Sequence, residues 1–96
     1  MTIKAELINP DGLTPRQGQI AELMAEGCSN KVIARKLAIG IRTVDTHIAS
    51  IYEKLGLRSQ SINTRCTAIL TMVARGMIAL SIKSVVMVLV FNAAVG

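Results

Sequence analysis

Aromatic side chains are nearly missing from this chain: its 96 residues include one Phe, one Tyr and no Trp. Half of the residues are nevertheless hydrophobic, so any core must be built from aliphatic side chains. That favours packed helices over a strand-rich sandwich, whose strands draw on aromatic and β-branched residues. Cysteine is scarce as well. Cys28 and Cys66 lie far apart, without CxxC spacing and without a histidine cluster, which argues against a metal site and leaves two reduced thiols of a cytosolic protein as the expectation. Acidic residues are few, 6 against 11 basic ones, giving a formal charge of +5. Such a balance favours a polyanionic partner, either nucleic acid or an anionic membrane surface. No basic patch followed by an apolar run marks a signal peptide at the N-terminus. The longest charge-free apolar stretch, Ser84 to Gly96, is shorter than the ~17 to 20 residues needed to span a bilayer, and extending it back to Met77 takes in Lys83. A membrane partner is therefore not expected. Catalytic signatures are lacking too: His47 has no Cys or acid at nucleophilic spacing, and no acid–base pair or metal-ligand set appears. The chain reads as neither an enzyme nor a cofactor carrier.

What is present is helical periodicity in one domain-sized length. Residues 1–12 form a lead-in closed by the turn-like Asn9-Pro10-Asp11-Gly12. Helix one begins at the N-cap Thr14, with Pro15 at its first position and Gln17 where a capping box places Glu or Gln. Ile20, Leu23 and Met24 face inward, and Gly27 is its left-handed stop. Ser29 caps helix two, whose inward residues are Ile33, Ala34 and Leu37; Val32 cannot close that capping box. After the break Ala38-Ile39-Gly40, helix three carries Ile41, Val44, Ile48, Ile51 and Leu55, which fall within about 80° of a helical wheel. Gly56 stops it. Ser59 caps helix four, along which Ile62, Cys66, Ile69, Met72 and Val73 run to an end near Gly76. Met24, Met72, Met77 and Met87 read as core filler. Beyond Leu80 comes an apolar, β-branched tail, Ser81 to Gly96, expected to act as a dimer or packing element, because such a segment does not rest comfortably exposed.

Two helices joined by a tight turn, the second with a polar outer face, follow the helix-turn-helix plan. Opposite its apolar stripe helix three presents Arg42, Thr43, Thr46, Ala49, Ser50 and Glu53, with His47 and Lys54 on one flank and Asp45 on the other. Small and hydroxyl-bearing residues there let a helix approach base edges in a major groove. The basic residues Lys31, Arg35, Lys36, Arg42, Lys54, Arg58 and Arg65 concentrate in the same stretch.

The run Leu13-Thr14-Pro15-Arg16, then Gly27-Cys28-Ser29-Asn30-Lys31, Ile33-Ala34 and Leu37 resembles the LuxR-type (GerE-like) DNA-binding domain. Arg42-Thr43-Val44, Thr46-His47-Ile48, Ile51, Lys54-Leu55-Gly56 and Arg58-Ser59 extend the resemblance, which covers residues 13–80. It implies an all-α, four-helix bundle with a helix-turn-helix, to which residues 81–96 add an apolar C-terminal extension. It also implies a bacterial transcriptional regulator without cofactor, acting in the cytoplasm. Carried over by position, Thr43, Asp45, Thr46, His47, Ala49 and Ser50 are candidate groove residues, and Thr14, Asn30, Lys31, Arg42, Lys54, Arg58 and Ser59 candidate phosphate contacts. The implied partners are double-stranded DNA on a pseudo-palindromic site, and a second copy of the chain through helix four, with the C-terminal tail as a further candidate for that contact. RNA polymerase is a candidate third partner. Beside residues 13–80 the chain has no room for a receiver domain.

Six positions depart from the family pattern. Gln17 and Gln19 stand where acidic residues are usual, Val32 replaces Glu, Ala38 replaces the turn glycine, Gly40 replaces Ser or Pro, and Asp45 stands where Lys or Arg is usual. A carboxylate at the groove mouth repels phosphate, although it can accept a hydrogen bond from cytosine N4. An alternative function follows from Asp45 and the tail: an interaction module that pairs with and titrates a related regulator, with weakened DNA binding.

Overall fold

The computed structural model describes residues 2–57 and 62–83. The order of elements is β1 (Thr2–Leu7), α1 (Pro15–Ala25), α2 (Asn30–Leu37), α3 (Ile41–Lys54), α4 (Ile62–Ala74) and β2 (Ile78–Lys83). The chain is mostly helical, and the helix limits follow the capping chemistry. The Gln17 amide donates to Thr14 Oγ1 at 3.2 Å while the Thr14 amide donates to Gln17 Oε1 at 3.0 Å, a closed capping box with Pro15 inside it. At α2 the Val32 amide donates to Ser29 Oγ at 3.3 Å, but an apolar Val32 returns no bond. Gly40 starts α3 with no side-chain cap at all.

α3 lies across α1 and α2, and α1 also carries β1. Ile20, Ala21, Met24, Ile33, Val44 and Ile51 form the buried centre, joined from the far side by Ala68, Met72, Met77 and Ile78. The stripe expected on α3 is buried from Val44 through Ile48 and Ile51 to Leu55, but Ile41 is 47% exposed. At the first turn of α3 it lies outside the surface that α1 and α2 cover. The inward row of α4 is likewise rotated from expectation. Thr64, Ala68 and Met72, spaced four apart, are buried, Ile69 and Val73 are half-buried, and Cys66 is exposed.

A two-stranded sheet corrects the expectation of an all-α chain. β1 and β2 pair antiparallel, Ala5 opposite Leu80 and Leu7 opposite Ile78, so part of the lead-in and the start of the tail form one element. The other edge of β1 is sealed by α1. The Ala5 amide donates to Glu26 Oε2 at 2.9 Å and the Leu7 amide to Glu22 Oε2 at 2.8 Å. These two carboxylates satisfy backbone donors that a bare edge would leave to solvent. Gly18 lies under the Leu7 side chain: a Cβ there would sit 2.6 Å from Leu7 Cδ2 and push that methyl aside.

Ala38 ends α2 in the left-handed conformation, φ 55° and ψ 44°, where a side chain crowds its own backbone and glycine is the usual occupant. Ala38→Gly should therefore stabilise the fold by up to about 1 kcal/mol, a rise of roughly 4 to 8 °C in Tm for a domain of this size. A calorimetric scan showing an unchanged or lower Tm would contradict strain at this turn.

Candidate nucleic-acid interface

α2 and α3, joined through Ala38-Ile39-Gly40, form the helix-turn-helix pair, and α3 turns one side to the core and the other to solvent. Arg42, Thr43, Asp45 and Thr46 are exposed on it, whereas His47, Ala49 and Ser50 are half-buried along its border. The exposed groups of this face thus gather in its first half, nearest the turn, with Glu53 and Lys54 exposed again at its far end.

Two hydroxyls on this face have defined hydrogen-bond states. Thr46 Oγ1 donates to the Arg42 carbonyl at 2.9 Å, so its proton is used and its oxygen remains an acceptor. Such a group suits an amino donor on a base edge, and its methyl suits the methyl of thymine. Ser50 Oγ instead accepts from Gln17 Nε2 at 3.0 Å, which leaves its own proton to donate. Ser50 thus joins α3 to α1 as well as bordering the face.

The Lys54 ammonium donates to Gln17 Oε1 at 2.7 Å and to the Gly12 carbonyl at 2.9 Å. It ties the end of α3 to the entry of α1, and Gln17 serves at once the Thr14 cap, Ser50 and Lys54. That side chain is buried, and its place in the capping box was legible from the sequence while its link to α3 was not. Lys31 and Arg42 are exposed at the N-terminal ends of α2 and α3, and Thr14 is exposed at that of α1. Arg58 and Ser59 lie outside the described residues.

Asn30 is engaged at both ends of its amide. Nδ2 donates to Asp45 Oδ1 at 2.8 Å, and Oδ1 accepts from Arg65 Nη1 at 2.7 Å. Arg65 Nη2 donates to the Cys28 carbonyl at 2.6 Å. Burial pushes the Tyr52 phenol above its ordinary pKa, with Arg65 pulling against that rise. The sequence reading counted Arg65 only as a basic residue. Its partners lie 35 and 37 positions away, beyond anything that helical spacing could signal.

Among the described residues, no group of His, Cys, Asp and Glu side chains is placed to hold a metal ion, and no helix is long and apolar enough to cross a membrane. No buried side-chain nitrogen or oxygen among them lacks a partner.

Residues 11–65 match the sequence profile of bacterial regulatory proteins of the luxR family. The chain is also similar to proteins of Mycobacterium bovis and of two strains of Mycobacterium tuberculosis, each named as an HTH-type transcriptional regulator. Identity is 48% over 48 residues in each case, covering 50% of this chain and 5% of the relative. This chain thus corresponds to a small part of those proteins' length.

Proposed function

This chain belongs to the luxR family of bacterial regulatory proteins, and from that premise we propose that it is a transcriptional regulator that binds duplex DNA by laying α3 in the major groove. The observation carrying this reading is the exposed first half of α3, where Thr43 and Thr46 stand beside Arg42 on a helix packed against α1 and α2. Small hydroxyl side chains at the centre admit the helix to the base edges, and cations at the rim meet phosphate. Thr43, Asp45 and Thr46 are the principal base readers, with His47, Ala49 and Ser50 along the border. Lys31, Arg42 and Thr14 serve as phosphate contacts. Lys54 and Asn30 contribute there only with the hydrogens not used internally, and Arg58 and Ser59 complete the set by position.

Selection of bound duplexes from a random pool, repeated at two salt concentrations, tests this. The expected result is a recurring sequence at both, with affinity falling steeply as salt rises. Absence of duplex binding even at low salt would overturn it.

The same reading places a two-fold contact on α4. Its outward side presents Asn63, Cys66, Thr67, Leu70 and Ala74, small residues around a leucine that is 69% exposed. A pseudo-palindromic site fits two copies of the chain related by such an axis. Leu70→Glu should yield a folded monomer in sedimentation equilibrium, while the parent protein sediments as a dimer. A parent protein that is monomeric at all concentrations would contradict the contact.

A further inference from the structure

A carboxylate at the mouth of a DNA groove faces phosphate repulsion, and Asp45 occupies that place on α3. Its surroundings alter the problem. Asp45 Oδ1 accepts from Asn30 at 2.8 Å, Asn30 Oδ1 accepts from Arg65 at 2.7 Å, and the second guanidinium nitrogen reaches the Cys28 carbonyl at 2.6 Å. This relay joins α3, the loop and first residue of α2, and α4. Its terminal donor is a guanidinium, whose rigid fork satisfies the Asn30 amide oxygen and the Cys28 carbonyl together. An ammonium on a flexible stem cannot hold both in one geometry. Hydrogen bonds with a charged partner are the short, strong ones, and both Arg65 bonds are short.

We infer that Arg65 is a positioning residue of the DNA-binding face, acting through Asn30 to hold Asp45 against α2. The inference rests on the reading that α3 meets DNA. Without Arg65, the Asn30 amide loses the partner that fixes its orientation, and the Asp45 carboxylate is no longer held against α2.

The test compares native protein, Arg65→Met, Arg65→Lys, Asp45→Asn and the double variant Asp45→Asn/Arg65→Met. Each is titrated against a duplex recovered from the random pool, over a range of salt, with circular dichroism verifying the fold. Both Arg65 variants should bind about tenfold more weakly than native, a coupling typical of groups in one network. Lysine should do no better than methionine, and the slope of log affinity against log salt should stay unchanged. In the Asp45→Asn background the effect of Arg65→Met should shrink to about threefold or less. Native-like binding by Arg65→Lys, with a slope about one unit shallower for Arg65→Met, would make Arg65 an ordinary phosphate contact and overturn the inference. Equal losses in both Asp45 backgrounds would overturn it as well. Should the Arg65 variants fail to fold, Asn30→Ala cuts the relay with Arg65 in place and must show the same dependence on Asp45. Failure of the native protein to bind any duplex would instead overturn the proposed function itself, and binding with strictly additive substitutions the relay alone.

Discussion

Ile51→Ala should lower the stability of the fold by roughly 2 to 5 kcal/mol, the range for emptying a fully buried aliphatic site. Ile51 has no exposed surface and lies on the side of α3 that rests on α1 and α2. Few aromatic side chains are at hand to close a cavity, since the described core has Tyr52 as its one aromatic member. Total stability of a small domain is about 5 to 15 kcal/mol, so the loss is a large fraction of it. Urea unfolding should show a lower midpoint with an unchanged slope, and DNA binding should fail on warming before the chemistry of the face is touched. Ile41→Ala is the control. Both residues belong to the same apolar stripe in the sequence, yet Ile41 is 47% exposed, and its truncation should stay within about 0.5 kcal/mol. Equal effects at the two positions would contradict the placement of α3.

The largest effect on binding is expected from Lys31→Ala/Arg42→Ala. Both cations are exposed, one at the first turn of α2 and one at the first turn of α3, and neither is needed for the core. Removing two phosphate contacts should weaken binding on the order of 100-fold at about 50 mM salt and shallow the salt dependence by about two units. The preferred sequence should not change, because backbone contacts set affinity and register while base edges set preference. A changed preference would move one of these residues into the base-reading set. An unchanged affinity would place the phosphates elsewhere on the protein.

The helices were legible because their signals are local. Thr14, Pro15 and Gln17 announce the start of α1 within four residues, and Ser29 that of α2; in each case the side chain makes the cap its residue type suggests. Ala38 stood out only through the resemblance, as a replacement of the turn glycine, and it does take the left-handed conformation. The sheet was not legible. Ile3, Ala5 and Leu7 alternate with polar residues, and Ile78, Leu80 and Ile82 recur at every second position with Ala79, Ser81 and Lys83 between them, but each run is only six residues long and its partner is at the other end of the described chain. A short alternating run identifies a strand only when something is there to pair with it. The rotation of α4 has a similar origin. Its inward side is set by Met77, Ile78 and the α1 surface, so small residues such as Ala68 are buried while Cys66 is left outside.

Within the site, the sequence located the face of α3 but not how its polar groups are engaged. The resemblance made Asn30, Ser50 and Lys54 candidate DNA contacts, and nothing local in the sequence signalled their internal partners. Each is in fact bonded to another helix or loop: Asn30 to Asp45 and Arg65, Ser50 to Gln17, Lys54 to Gln17 and Gly12. Long-range hydrogen bonds of this kind depend on helix packing, which no local pattern encodes.

The most direct test of the central claim is a map of backbone amide shifts as a selected duplex is added to the isotopically labelled protein. Groove insertion of α3 predicts the largest shifts at Arg42, Thr43, Asp45 and Thr46, smaller ones at the N-terminal ends of α1 and α2, and little change in β1. Shifts concentrated in α4 and β2 with α3 unmoved, or none at low salt, would contradict it.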